Sequence, residues 1–190
     1  MANFGYTTLG ASSLGPSQNK FFGTRFTAPS DMGSITSASV GICSDLGTGR
    51  TAKMVIVKQS DLTIVTNGVS NAFTIPYTPG TSIPDAFTSV SFSTPPTLSA
   101  STDYVLGIIH NDSSFSIYVG YDSGTSNYYY FDSTNNYTTP TNPTDAVTTG
   151  DDNGAPGNAK MSIYVSYTPA ASPVSEARIR NYKMLSGFGL

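Results

Sequence analysis

Apolar and polar residues alternate with a period of two along most of the chain, in short runs bounded by Gly, Pro, Asn, Asp or Ser, and that alternation predicts β-strands. Phe22, Thr24 and Phe26 alternate with Gly23 and Arg25. Thr36, Ala38, Val40 and Ile42 share a face after an Asp31-Met32-Gly33 turn. From Ala52 to Lys58 both faces are apolar, Met54 and Ile56 on one and Val55 and Val57 on the other. Leu62, Ile64 and Thr66 run into a turn at Asn67-Gly68, and Val90 and Phe92 end at Pro95-Pro96. Tyr104, Leu106, Ile108 and His110 alternate, as do Phe115, Ile117, Val119 and Tyr121. Tyr128 and Tyr130 form a shorter run, and Met161, Ile163, Val165 and Tyr167 the last. Eight or nine short strands joined by turns predict an all-β fold in which two antiparallel sheets pack face to face as a β-sandwich.

Two segments break the rhythm and set the domain organisation. Residues 132–158 read as a long polar loop of Thr, Asn, Pro and Gly, either functional or wrapped over a neighbour. Beyond Tyr167 the chain leaves through Pro169-Ala170-Ala171-Ser172-Pro173, which divides it into a sandwich of residues 1–168 and a C-terminal extension of residues 169–190. Ser175 is placed to cap a short helix ending at Gly187. The extension carries Ile179, Tyr182, Met184, Leu185 and Phe188, apolar residues that need a partner surface unless the tail is disordered.

Composition narrows the class. The chain has 190 residues, enough for one well-buried domain. Only 11% are charged, with a single Glu and 52 Ser and Thr, which disfavours helical and α/β enzymes. The net charge of −3 conceals blocks: nine Asp and no Lys or Arg lie between Lys58 and Lys160, flanked by ends that are each +3. Either these are scattered solvated charges, or the basic tail, with Arg178, Arg180 and Lys183, docks on an acidic surface of another copy or another protein. No cluster of Lys and Arg with interleaved aromatics points to nucleic acid. No apolar run approaches a membrane span of ~18 residues, and the start lacks the pattern of a signal peptide.

Candidate chemistry is sparse. His110 with Asp112 two residues on is half of a triad, but there is no Gly-x-Ser-x-Gly elbow and Cys43 stands inside an apolar strand, so no catalytic residue is expected. The lone cysteine excludes an internal disulfide and multi-cysteine metal sites. No cofactor is expected; Asp145, Asp151 and Asp152, with Asn153, are the candidates for calcium, against a plain reading as turn residues. Tyr128, Tyr129 and Tyr130 put successive rings on opposite faces of a strand, where they stack on a sugar, fill a protein interface or pair across the sheet.

The residues also carry a family likeness. Phe4-Gly5-Tyr6-Thr7-Thr8-Leu9-Gly10-Ala11-Ser12-Ser13, Asn19-Lys20-Phe21-Phe22-Gly23-Thr24-Arg25-Phe26-Thr27-Ala28-Pro29 and Gly33-Ser34-Ile35-Thr36-Ser37-Ala38 resemble jelly-roll-like β-sandwich proteins of tailed phages and environmental viral sequences. Pro95 to Gly107, Asn127 to Phe131 and Ala159 to Tyr167 continue the likeness, which spans residues 4–168. It implies a jelly-roll-like sandwich and a non-enzymatic virion surface protein: a capsid decoration or cement protein bound to the major capsid protein or another virion protein, and a homo-oligomer, with a trimer among the options. Arg178, Ile179, Arg180, Tyr182, Lys183, Leu185 and Phe188 would then anchor it. The alternative is a glycan-binding module of a tail fibre or adhesin, with Tyr128 to Tyr130 and the Asp145–Asn153 loop as its site. Synthesis in a host cytoplasm and release onto a virion surface would reconcile a polar, exposed protein with the missing signal peptide and disulfides.

Overall fold

The computed structural model describes residues 1–15, 18–113, 116–124, 129–132, 135–144 and 158–171, with residues 129–131 described by their backbone. Among these residues there are thirteen strands and no helix: β1 (Ala2–Gly5), β2 (Ser12–Leu14), β3 (Phe21–Thr27), β4 (Ser34–Ser44), β5 (Thr51–Lys58), β6 (Thr63–Val69), β7 (Phe73–Thr74), β8 (Phe87–Val90), β9 (Asp103–His110), β10 (Ile117–Ser123), β11 (Tyr129–Asp132), β12 (Ala159–Met161) and β13 (Ile163–Thr168). Every ladder between named strands is antiparallel. One sheet runs β1-β13-β4-β10-β12, with β2 on β10 and β8 on β4; the other runs β11-β3-β9-β5-β6, with β7 on β5. The chain passes from sheet to sheet at β2→β3→β4→β5 and again at β7→β8→β9→β10→β11→β12. The fold is an antiparallel β-sandwich.

The nine alternating runs of the sequence correspond to β3–β6, β8–β11 and β13. The four further strands, β1, β2, β7 and β12, are two to four residues long, too short for a period to register, and Met161, read as the start of the last run, belongs to β12, which Ser162 separates from β13. Phe22, Phe26, Val40, Ile42, Met54, Ile56, Leu106, Ile108, Val119 and Val165 meet between the sheets. A second cluster of Phe21, Val55, Val57, Val105 and Ile109 lies on the outer face of the second sheet, packed against Leu62, Ile64, Val69 and Tyr137. Hence β5 and β9 are buried on both faces, as the two-sided apolar pattern of β5 predicts.

Three local readings change. Thr36, expected inside with Ala38, is exposed, while Ile35 is buried. The register with β13 passes from Ser166↔Ser37 to Tyr167↔Ile35, so Thr36 is a bulge residue that reverses the alternation. Asn67-Gly68 is not a hairpin turn but lies within β6, where Asn67 has a φ of 60° and the register against β5 shifts between Val57 and Val55. The stretch read as one loop from Asp132 begins at the end of a strand, and residues 135–144 lie over the second sheet, with Ile64 donating its N–H to Asn142 at 2.9 Å.

Two hydroxyls tie the sheets and the first segment together. In an antiparallel pair only alternate residues exchange main-chain bonds. Ser162 donates its N–H to Gly120 at 2.8 Å, and that parity turns Ala159 and Met161 away from β10. Thr24, fully buried on β3, fills the place of the missing strand: its Oγ1 accepts from the Met161 N–H at 2.9 Å and donates to the Ala159 carbonyl at 3.2 Å. At the junction of β12 and β13, the carbonyl of buried Ser162 accepts from Gly41 at 2.7 Å and its Oγ from Gly10 at 2.8 Å.

Candidate functional site

The root of the extension is tied down. Ala170 donates its N–H to the Asp31 carbonyl at 2.9 Å, and Tyr167 donates its hydroxyl to the Asp31 carboxylate at 2.9 Å. Gly33 packs so tightly on the Thr168 carbonyl that a Cβ there would overlap it. Residues up to 171 therefore follow a fixed course along the loop between β3 and β4. Arg178, Ile179, Arg180, Tyr182, Lys183, Leu185 and Phe188 lie outside the described residues, as do Tyr128, Asp145, Asp151 and Asp152. Tyr129 and Tyr130 belong to β11, opposite Thr24 and Gly23.

His110 is fully buried at the end of β9, its ring 6.3 Å from that of Phe22 in an edge arrangement. Its Nδ1 accepts the Asp112 N–H at 3.2 Å. The Asp112 carboxylate is held by Arg50 Nε at 2.7 Å and by the Ser116 hydroxyl at 2.8 Å. Ser116, His110 and Asp112 thus meet, but with the hydroxyl on the carboxylate, an arrangement that braces the end of the sandwich. Cys43 is buried, and burial pushes its thiol above the usual range. Among the described residues no three His, Cys, Asp or Glu side chains come together as metal ligands.

A polar group covers the outer face of the second sheet. Tyr137 shares a hydrogen bond of 2.8 Å with Thr51 and donates its N–H to the Asn19 side-chain oxygen at 3.0 Å. Lys53 donates to the carbonyls of Tyr137 and Thr138, both at 3.0 Å, with its ammonium 4.8 Å from the Tyr137 ring centre. Buried Asn135 donates to Asp132 at 3.1 Å and to the Thr141 carbonyl at 2.9 Å. The Lys, Thr and Asn side chains here are spent on holding residues 135–144 in place.

A concave feature lies elsewhere among the described residues, where the edges of the two sheets face each other. A cleft of about 320 Å³ opens between β1 and β3, lined by Asn3, Gly5, Arg25, Thr27, Pro29 and Lys160, with the edge-to-face pair Phe4 and Phe26 also on its wall. Pro29 belongs to the same connection as Asp31, so cleft and tail root flank one loop. The Lys160 ammonium sits 4.3 Å from the Tyr6 ring centre. Tyr6 donates to Asp122 at 2.6 Å, and Asp122 also accepts from Ala11 at 2.9 Å. These bonds hold the Asp122 carboxyl below its ordinary range and raise the Tyr6 phenol above its own.

Parity fixes what the strands offer to the cleft. Tyr6 donates to the Ile163 carbonyl at 2.8 Å, so in the register of β1 with β13 the bonded residues are Ala2 and Phe4. Asn3 and Gly5 turn their main-chain groups outward. On β3, Ala28 donates to Thr102 at 2.8 Å, which assigns Thr24 and Phe26 to β9 and directs Arg25 and Thr27 to the opposite edge. β11 covers that edge only over Phe21–Thr24. Sequence reasoning did not single out this cleft; its one signal is that Arg25 and Lys160 each interrupt an apolar alternation on an outward position.

No protein-family model and no curated protein matches the chain.

Proposed function

We propose that the protein is a non-enzymatic structural component of a virus particle, a capsid decoration or cement protein whose sandwich faces outward and whose extension reaches neighbouring subunits. The observation that carries this reading is the pinned tail root, Ala170 on Asp31 with Thr168 against Gly33, which gives residues 172–190 a fixed point of departure. The likeness of residues 4–168 to virion sandwiches supports the setting. Each copy would add buried interface across a seam between capsid subunits, and stable contacts of this kind bury about 1,200–2,000 Å². Arg178, Arg180 and Lys183 would supply charge complementarity, and Ile179, Tyr182, Leu185 and Phe188 the apolar contact with the major capsid protein or another virion protein. Removal of residues 172–190 is expected to leave a folded sandwich that no longer joins particles. Full decoration by the truncated protein would refute the anchor.

A further inference from the structure

We propose that the end of the sandwich where β4 turns into β5, with Leu46, Tyr77 and Ile83 exposed beside Asp45 and Asp85, receives residues 178–188 of a second copy of this chain. The inference rests on the reading of the extension as an anchor and names the surface on which the anchor seats. Among the described residues four large apolar side chains are exposed, and three of them, Leu46, Tyr77 and Ile83, belong to the two connections that lie side by side at the end of β4. Leu46 is 64% exposed on the turn into β5. The other connection is fixed against β4, since Ser44 donates its N–H to the Pro76 carbonyl and Thr78 donates to the Ser44 carbonyl, both at 2.8 Å, which sets Tyr77 beside Ser44. Further on, Thr81 Oγ1 accepts the Ile83 N–H at 3.1 Å, and Pro84 is buried over Gly120. The apolar side chains are thus held outward by a fixed backbone, and grouped exposure of this kind marks an interaction surface.

Charge and reach choose the occupant. Asp85 is exposed and has no hydrogen bond or ion pair among the described residues. Asp45 accepts the Tyr118 hydroxyl at 3.2 Å through Oδ2, while its Oδ1 has no partner there. The Cys43 thiol is raised by burial first and then by both carboxylates, which places Asp45 and Asp85 around one point. Arg50, the base on the same connection as Leu46, is bound to Asp112 at 2.7 Å. The extension is the complement, with Arg178, Arg180 and Lys183 interleaved with Ile179, Tyr182 and Leu185. Its root is held at Asp31, and the 11 residues of β4 put Leu46 about 33 Å away at ~3.3 Å per residue. Ile179 lies eight residues beyond Ala171, at most about 29 Å of fully extended chain. Arg178 and Ile179 therefore fall short of the acidic end of their own sandwich, and the end they meet is that of a neighbouring copy.

The test measures self-association of the full chain by sedimentation equilibrium, without particles, so its failure stays separate from that of the virion reading, which is decided on particles. The full chain is expected to associate at micromolar concentration, and the double variant Leu46→Ser, Asp85→Asn to associate about tenfold more weakly. Both positions are exposed, and an unchanged melting temperature separates lost association from lost folding. The double variant Arg178→Gln, Ile179→Ser is expected to weaken association to the same extent from the side of the extension. Mixing the two double variants in equal amounts is expected to restore association, because the intact extension of one meets the intact surface of the other. A full chain that stays monomeric up to millimolar concentration would overturn the proposal. So would association that the surface variant leaves unchanged, or a mixture of the two variants that associates no better than either alone.

Discussion

Thr24 shows how one hydroxyl does the work of a missing strand. Replacing it with Val keeps the shape but leaves the Met161 N–H and the Ala159 carbonyl buried without a partner. Thr24→Val is expected to cost about 1–3 kcal/mol, read as a lower urea midpoint, while Thr24→Ser keeps most of the stability. Equal midpoints for wild type and Thr24→Val would mean that β12 needs no such closure. The Tyr6–Asp122 bond gives a second prediction, with opposite signs at the two ends of the pH scale. Asp122 has a lowered folded pKa, chiefly from the Tyr6 hydrogen bond, so its contribution is present above the unfolded carboxylate value of about 4 and is lost as pH falls through the lower folded value. Tyr6 has a raised folded pKa from the same bond, so its contribution is complete below about 10 and is lost as pH rises through the higher folded value. The gap in urea midpoint between wild type and Asp122→Asn should therefore narrow at both extremes. A gap that is constant from pH 2 to 11 contradicts the assignment.

Among elements, residues 135–144 determine how the second sheet is buried. Val55, Val57, Val105 and Ile109 lie on its outer face, and Tyr137 packs against them while bonding Thr51. Tyr137→Ala is expected to destabilise by roughly 2 kcal/mol and to speed amide exchange in β5 and β9 together. Faster exchange confined to residues 135–144 would show that the cover does not support the sheet. The two-sided burial of β5 was legible in the run Met54-Val55-Ile56-Val57, since alternation fails there in favour of apolar residues on both faces. What covers the outer face was not legible, because Tyr137 sits alone among Thr, Asn and Pro and has no period. Thr36 and Asn67 were misread for a related reason: a bulge inserts residues into one strand only, and the partner strand, absent from any local window, is what defines the register. The cleft escaped notice because its lining is gathered from residues far apart in sequence, on β1, on β3 and its following loop, and on β12, and β1 is four residues long.

At the scale of the molecule, the block pattern of charge takes a spatial meaning at one end. Arg25 and Lys160, from the two basic flanks of the sequence, line a single cleft, and the loop that supplies Pro29 to that cleft holds Ala170 through Asp31. The edge of β1 and the root of the tail thus belong to one end of the sandwich. Truncation after Ala171 leaves the thirteen strands of the described residues in place, so the melting temperature is expected to change little. The most direct measurement is the occupancy of purified particles by the full chain and by the chain ending at Ala171, counted in particle reconstructions under identical protein concentration. Full occupancy by the complete chain with near-absence of the truncated, folded chain is the predicted result. Equal occupancy by both, or attachment of neither, would contradict the proposed anchoring role.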